Sequence, residues 1–156
     1  MVRFEIPEKE TLAIEHLILD FNGTIAEDGI LIPGVADRIR KMSSSVTVHV
    51  ITADTNGSAG AQLAGLPCRV EIIGKHGQDQ AKLAYAKDLG LGNVAAVGNG
   101  RNDALLLKNV ALGIAVIQAE GASMHALQAA HIVCTRINDA LDLLLRPHRI
   151  IAALRN

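Results

Sequence analysis

Short apolar runs alternate along the chain with longer stretches in which apolar residues recur at every third or fourth position. Runs of the first kind, bounded by turn-forming residues, indicate buried strands, and the second spacing indicates helices that pack by one face. The runs predict strands at residues 16–20, 46–52, 69–73, 93–97, 112–117 and 131–134. The helical spacing predicts helices at residues 34–43, 57–64, 77–89, 102–108, 121–129 and 137–145. The segment VRFEI at residues 2–6 is predicted to add an edge strand.

Regular alternation of strands and helices predicts an α/β fold with a mostly parallel sheet and helices on both faces. The expected fold class is therefore a Rossmann-like, three-layer α/β/α arrangement. The 156 residues contain no linker-like or low-complexity segment, and 49% of them are hydrophobic, which is enough for one sizeable core. We expect residues 1–156 to form a single domain.

Composition and charge exclude several classes of partner. The 15 basic and 16 acidic residues nearly balance, and aromatic residues make up only 2% of the chain. The sequence therefore offers neither a basic footprint nor stacking platforms for nucleic acid. The charged start, and the lack of an apolar run of the ~20 residues that span a membrane, predict a cytoplasmic protein with no membrane partner. Cys68 and Cys134 have no metal-ligand spacing and are predicted to be buried free thiols.

The stretch LILDFNGT at residues 17–24 places a carboxylate directly after a buried apolar run. A buried charge without a partner is costly, so Asp20 is expected at the carboxyl end of its strand, where polar groups collect in parallel sheets. Thr52 ends the next predicted strand, GNGRND at residues 98–103 follows the fourth, and Lys82 lies on the helix before that strand. We therefore expect these groups to share one crevice.

These residue types suit the transfer of a phosphoryl group. A carboxylate can attack phosphorus when a divalent cation offsets the repulsion between the two anions and fixed donors hold the phosphoryl oxygens. Asp20 would be the nucleophile and a metal ligand, and Asp103 a second carboxylate for a cation that prefers oxygen ligands, of which Mg²⁺ is the best match. The hydroxyl of Thr52 and the ammonium of Lys82 would hold the phosphoryl oxygens.

The ordered motifs resemble those of a known superfamily. D-x-N-G-T at residues 20–24, the strand-terminal Thr52, the helical Lys82 and G-N-G-x-N-D at residues 98–103 are similar to the four motifs of the haloacid dehalogenase (HAD) superfamily. The segment GNGRNDALLLKNVALGIAV, which begins at Gly98, resembles the phosphorylation domain of P-type ATPases and its small soluble relatives. The resemblance covers about residues 15–145 and implies a Mg²⁺-dependent phosphohydrolase.

The resemblance implies a role for each matching residue. Asp20 would carry an aspartyl phosphate formed from a phosphate ester or nucleotide. Asn22 would offer its main-chain oxygen to Mg²⁺, and Asn99 and Asp103 would hold the ion directly or through water. The implied catalytic residues are Asp20, Asn22, Thr52 and Lys82. The implied phosphate-binding residues are Gly23, Thr24, Thr52, Ala53, Lys82 and Asn102.

Two positions depart from the superfamily pattern. Asn22 stands where many phosphatases have a general acid/base Asp, a role that typically contributes ~10²–10⁴-fold. Asn99 stands in place of the commoner Asp, which removes one negative charge from the cation site. Slow turnover and weak Mg²⁺ binding are expected. The alternative function is therefore a low-activity Mg²⁺- and phosphate-binding or phospho-acceptor module with a regulatory or partner-binding role.

The short connections between the motifs leave no room for a cap domain. Residues 26–34 are predicted to form a β-hairpin flap over the crevice. Because an uncapped site excludes water poorly, closure is expected from a neighbouring subunit, in a homodimer or homotetramer, or from a large substrate.

Some alternatives stay open at the level of sequence. Lys75 competes with Lys82 as the phosphate-site lysine, and Lys82 is preferred because Leu89 lies two turns beyond it. A two-component receiver domain shares a phosphorylated aspartate, but the chain lacks the acidic pair which that fold needs. The basic ending at residues 146–155 is predicted to be a docked surface helix, with a partner subunit or an anion as the other possibilities.

Overall fold

A computed structural model describes residues 1–7, 11–54 and 57–155 of the chain. Its main feature is a six-stranded sheet. The strands are β3 (His16–Asp20), β6 (Thr47–Thr52), β7 (Cys68–Ile72), β8 (Val94–Gly98), β9 (Leu112–Val116) and β10 (Ile132–Cys134). They lie in the order β10-β9-β8-β3-β6-β7, and every neighbouring pair is parallel. The six strands predicted from the apolar runs are therefore confirmed, with ends that differ by one residue at most.

Helices cover both faces of this sheet. The helices are α1 (Val35–Met42), α2 (Ala59–Leu63), α3 (Gln78–Leu89), α4 (Ala104–Asn109), α5 (Met124–Ala129), α6 (Ile137–Leu145) and α7 (Pro147–Leu154). Buried residues of α1, α2, α6 and α7 form one apolar cluster with the sheet, and those of α3, α4 and α5 belong to a second cluster on the opposite face. The three-layer α/β/α fold predicted from the sequence is confirmed.

The strand register brings the ends of three strands to one edge. Asp20 at the end of β3 lies beside Ile51 of β6, and Leu19 lies beside Val97 of β8. The last residues of these strands, Asp20, Thr52 and Gly98, therefore meet at the same carboxyl edge of the sheet. This edge is where open parallel sheets place their ligands.

The prediction of an edge strand at residues 2–6 is wrong in its placement. Residues 2–4 form β1 (Val2–Phe4), which pairs with β2 (Leu12–Ile14) in a separate antiparallel ribbon. Phe4 and Ile14 are fully buried in the cluster that includes Ile150 of α7. The ribbon closes the apolar core at the side of the main sheet, because that is where these two side chains and α7 find apolar neighbours. The basic ending is thus a docked helix, as expected.

Two further expectations need correction. The helix predicted at residues 121–129 begins only at Met124, because Gly121 has a φ of 75° and the hydroxyl of Ser123 accepts from the N–H of His125 as an N-terminal cap. Cys68 and Cys134 are free thiols as expected, but each is only half-buried.

A small hairpin occupies the position predicted for the flap. It consists of β4 (Ala26–Glu27) and β5 (Ile30–Leu31), which pair antiparallel. Within the described residues, only this hairpin and α1 lie between Thr24 and β6, and only α2 and β7 lie between Thr52 and α3. The described part of the chain thus contains no cap domain. It also contains no helix with the length and apolar character that a membrane crossing requires.

Gly113 of β9 tests how closely α4 packs on the sheet. A Cβ at this position would lie 2.1 Å from the carbonyl oxygen of Leu107, a main-chain atom that cannot move without the helix. We expect Gly113→Ala to lower the free energy of unfolding by roughly 1–3 kcal/mol or more, measured by urea denaturation. Gly60→Ala is the matched control, since nothing lies within 4 Å of its added Cβ and Gly60 lies in a helix. Equal stability of the two variants would contradict the packing described.

Candidate active site

One ammonium group joins two carboxylates beneath the carboxyl edge of the sheet. The Nζ of Lys82 lies 2.7 Å from an Oδ1 of Asp20 and 2.6 Å from an Oδ1 of Asp103. Lys82 is 1% exposed, Asp103 is fully buried and Asp20 is 9% exposed. Asp20 and Lys82 are 62 positions apart in the chain, so folding alone brings this triad together.

The triad carries one excess negative charge, and the pKa values reflect it. Burial raises the pKa of Asp20 from 3.8 to about 6, and repulsion from Asp103 adds to the rise, while Lys82 opposes it. For Lys82, burial by itself would lower the pKa, but the negative charges of Asp20 and Asp103 outweigh it and the pKa rises. The ammonium is thus firmly charged, and Asp20 is a carboxylate at neutral pH that would gain from an additional cation.

A tight turn after β3 orients Asp20. The hydroxyl of Thr24 lies 3.0 Å from Oδ2 of Asp20 and 3.1 Å from Oδ1 of Asn99, so it can donate to either. Gly23 has a φ of 76°, and an added Cβ would lie 2.3 Å from Nδ2 of Asn99. Glycine is therefore required at this position both by the backbone conformation and by the close approach of Asn99.

The loop after β8 holds Asp103 by its main chain. The N–H groups of Asn99 and Gly100 donate to Oδ2 of Asp103 over 3.1 and 2.9 Å. Asp103 ends a short 3₁₀ turn that leads into α4. A Cβ on Gly98 would lie 2.4 Å from Cγ of Asp103, so the glycine leaves the space that this carboxylate occupies.

A polar crevice of about 270 Å³ opens above the triad. It is lined by Asp20, Asn22, Thr52, Ala53, Asp54, Gln78, Asn99, Gly100 and Asn102. The buried hydroxyl of Thr52 accepts from the N–H of Asp54 over 3.1 Å, which leaves its own proton available to an anion in the crevice. Asn22 is exposed at the mouth.

Other predicted site residues lie beneath the crevice and do not line it. The N–H of Gly23 donates to the carbonyl of Ala26 over 2.9 Å, and that of Thr24 donates to the carbonyl of Phe21 over 3.2 Å. Both main-chain donors are therefore engaged inside the turn. The fully buried Thr24 side chain contacts Asp20, so in this structure it orients the carboxylate.

Lys75 and Lys82 occupy very different places. Lys82 lies against Asp20, whereas Lys75 is exposed before α3 and borders a neighbouring pocket. The helix explains this, because Lys82 shares the inward face of α3 with the buried Ala86, one turn further along. Lys82, and not Lys75, is therefore the lysine beside Asp20.

Two residues that line or support the crevice were not predicted from the sequence. Gln78 lines the crevice and its Oε1 accepts from Nδ2 of Asn102 over 2.7 Å. Gln118 donates through Nε2 to the carbonyl of Thr24 over 2.8 Å, while its Oε1 accepts from the N–H of Ile137 over 2.7 Å. The position of Gln78, one helical turn before Lys82, could have indicated a place near the crevice. No feature of the sequence indicated Gln118.

Mg²⁺ fits this site through oxygen donors and water. Among the described residues, no group of three or more His, Cys, Asp or Glu side chains could hold a metal. Asp103 uses both oxygens on Lys82 and on main-chain N–H groups, which suits a ligand that acts through water. Mg²⁺ usually keeps several waters and needs only one or two carboxylates. Asp20 and the main-chain oxygen of Asn22 are therefore compatible direct ligands, with Asp103 behind water.

Asn99 is a less available ligand. Its side chain lines the crevice, but Nδ2 donates to the carbonyl of Gly121 over 3.0 Å and Oδ1 faces the hydroxyl of Thr24. The amide is therefore committed to holding two loops together in this structure.

Removal of the excess charge should stabilise the metal-free protein. Because the folded state raises the pKa of Asp20, its ionisation weakens the fold above about pH 6, and the penalty disappears below about pH 4. We expect Asp20→Asn to raise the free energy of unfolding by on the order of 1–3 kcal/mol at about pH 8 in a chelator, and by less as the pH falls towards 4. Urea denaturation at several pH values measures this, and a variant that is less stable at every pH contradicts it.

Removal of the ammonium should have the opposite effect. Lys82→Met would leave two buried carboxylates without a cation, which typically costs roughly 3–5 kcal/mol of stability. Lys75→Met is the matched control and should change the free energy of unfolding by less than about 0.5 kcal/mol, because Lys75 is exposed. The addition of Asp20→Asn to Lys82→Met should recover part of the loss. Thermal and urea unfolding of the unmodified protein, the two single variants and the double variant measure these differences.

One known protein is similar in sequence to about half of this chain. No protein-family model matches the chain. The uncharacterized protein MJ0073 of Methanocaldococcus jannaschii is 46% identical over 87 residues, which span 53% of this chain and 94% of that protein.

Several solved structures have the same fold over most of this chain. The cobalt-bound deoxy-D-mannose-octulosonate 8-phosphate phosphatase of Haemophilus influenzae has a TM-score of 0.72 at 15% identity, over 92% of this chain and 94% of that one. The corresponding phosphatase of Moraxella catarrhalis, in complex with magnesium, phosphate and KDO, has a TM-score of 0.67 at 17% identity, over 90% of each chain. A Legionella pneumophila protein described as a HAD superfamily (subfamily III A) hydrolase has a TM-score of 0.68 at 21% identity, over 90% of this chain and 87% of that one. The resemblance stated from the motifs is confirmed: the chain has the fold of the haloacid dehalogenase superfamily and belongs to the same family as MJ0073.

Proposed function

We propose that the protein is a Mg²⁺-dependent phosphohydrolase that cleaves a phosphate ester or nucleotide through an aspartyl phosphate on Asp20. The observation that carries this proposal is the buried Asp20–Lys82–Asp103 triad under an open polar crevice. A carboxylate at the floor of a crevice, with a cationic partner fixed beside it, is arranged for attack on phosphorus. The fold shared with known phosphatases supports the same conclusion.

The hydrogen bonds around Asp20 define its part in the reaction. Lys82 holds Oδ1, and Thr24 holds Oδ2 from below, so the carboxylate is fixed before substrate arrives. One carboxylate oxygen forms a bond to phosphorus while the bond from phosphorus to the ester oxygen breaks, and the departing alcohol takes a proton from water. A water molecule then attacks the aspartyl phosphate, which releases inorganic phosphate and restores the carboxylate.

Other side chains would bind the transferred group. The free proton of the Thr52 hydroxyl and the amide of Asn102 face the crevice and can donate to phosphoryl oxygens. Lys82 neutralises charge from below. Mg²⁺, when bound, would supply the positive charge that lets two anions approach each other. Asp20, the main-chain oxygen of Asn22, and Asp103 through water would hold it.

A second candidate function rests on Asn22. Its amide lies at the crevice mouth, where it can neither protonate a leaving oxygen nor activate water. A long-lived aspartyl phosphate would make the protein a phospho-acceptor or a Mg²⁺- and phosphate-binding module and not an efficient hydrolase.

The homo-oligomeric state and the cytoplasmic location stay predictions from the sequence.

Phosphate release from a broad panel of phosphate esters and nucleotides, with and without Mg²⁺, tests the first function. We expect Mg²⁺-dependent release by the unmodified protein and none above background by Asp20→Asn, because the nucleophile is gone. Equal rates for the two proteins would falsify the proposal.

Substitution at the mouth of the crevice separates the two functions. Asn22→Asp should increase turnover by roughly tenfold or more, because it restores a group that can exchange protons. Asn109→Asp is the control, since it makes the same change on the exposed end of α4 and should leave turnover as it was. Intact-mass measurement after acid quenching should find more phosphorylated protein in the unmodified protein than in the Asn22→Asp variant. No gain in rate, together with persistent phosphoprotein, would favour the phospho-acceptor module.

A further inference from the structure

We propose that a second pocket beside the crevice binds an additional anionic group of the substrate, a carboxylate or a second phosphate. This inference rests on the proposed function and specifies its substrate class. The pocket has a volume of about 320 Å³ and is lined by Lys75, Gln78, Asp79, Arg101 and Asn102. None of these side chains belongs to the triad that performs the chemistry.

The two pockets adjoin each other. Gln78 and Asn102 line both of them, and the bond between their amides forms the boundary. A substrate whose phosphoryl group lies over Asp20 can therefore pass across this pair and place its other end beside Lys75 and Arg101. The subsite would read the part of the substrate that remains after the phosphoryl group has been transferred.

The charges of the second pocket favour an anion. Lys75 and Arg101 are exposed, and within the described residues neither forms an ion pair. Asp79 lines the same pocket, so the two cations outnumber the carboxylates there. Arginine can bind a carboxylate or a phosphate through two parallel hydrogen bonds, and lysine adds a point charge.

The flap has the opposite charge. The flap carries Glu27 and Asp28, and the N–H of Asp28 donates to the carboxylate of Glu120 over 3.3 Å. An anionic substrate tail would be repelled by the flap and attracted towards Lys75 and Arg101. These charges therefore favour the side of Lys75 and Arg101 for the tail.

Matched substrates test the subsite. Glycerol 3-phosphate has a neutral tail, 3-phosphoglycerate has a carboxylate tail, and fructose 1,6-bisphosphate against fructose 6-phosphate adds a phosphate to the same sugar. The unmodified protein should have a higher kcat/KM for the member of each pair with the extra anion. The two pairs distinguish a site for carboxylate from a site for phosphate.

Substitutions locate the preference. Lys75→Gln and Arg101→Gln should each raise KM for the substrates with the extra anion by roughly 3- to 5-fold, and the double variant by about tenfold or more, because exposed ion pairs are of modest strength. KM for the neutral-tail substrates should change less than about twofold, and the preference should weaken at high salt. Lys87→Gln, an exposed lysine at the far end of α3, is the control and should alter neither.

A binding measurement keeps this test separate from the proposed function. Calorimetric titration of the same four compounds into the Asp20→Asn protein reports the preference without turnover. Tighter binding of the compounds with the extra anion, lost in Lys75→Gln/Arg101→Gln, supports the subsite even if no substrate is hydrolysed. Equal binding of both members of each pair, or equal losses for neutral and anionic tails, overturns it. Absence of hydrolysis by itself would count only against the proposed function.

Discussion

The site depends on one ammonium that must satisfy two buried carboxylates. Lys82 can neutralise only one of the charges on Asp20 and Asp103, so the triad retains a net negative charge at the floor of an open crevice. Burial keeps that charge expensive, which is why the pKa of Asp20 rises to about 6. The same imbalance that weakens the metal-free fold would give the crevice an affinity for a cation, and with the cation for a phosphoryl group.

The rest of the fold enforces this arrangement through the backbone. Parallel strands bring the ends of β3, β6 and β8 to one edge, and the N–H groups of Asn99 and Gly100 hold Asp103 there. Glycine at positions 23 and 98 leaves the space that Asn99 and Asp103 occupy. Stability and chemistry are therefore coupled, because the contacts that position the carboxylates also hold the loops of the crevice together.

The surroundings of the triad shape what it could do. Asn22 lies at the mouth, where its amide cannot act as a general acid or base and so would limit the proposed turnover, and the described chain places no cap over the crevice. The flap carries Glu27 and Asp28, and the neighbouring pocket carries Lys75 and Arg101. With the proposed subsite, a substrate would be selected largely by the charge of its tail.

The sequence by itself determined the six strands, most of the helices, and the order of the motifs, because local apolar periodicity and strand-end polar residues are properties of short segments. It also indicated Asp20 and Lys82 as partners. Only the tertiary structure decided that residues 2–4 pair outside the main sheet, that Thr24 contacts the carboxylate of Asp20, and that Arg101 lies beside the crevice. These features depend on packing contacts between segments that are far apart in the chain. Such contacts leave no pattern in a short stretch of sequence.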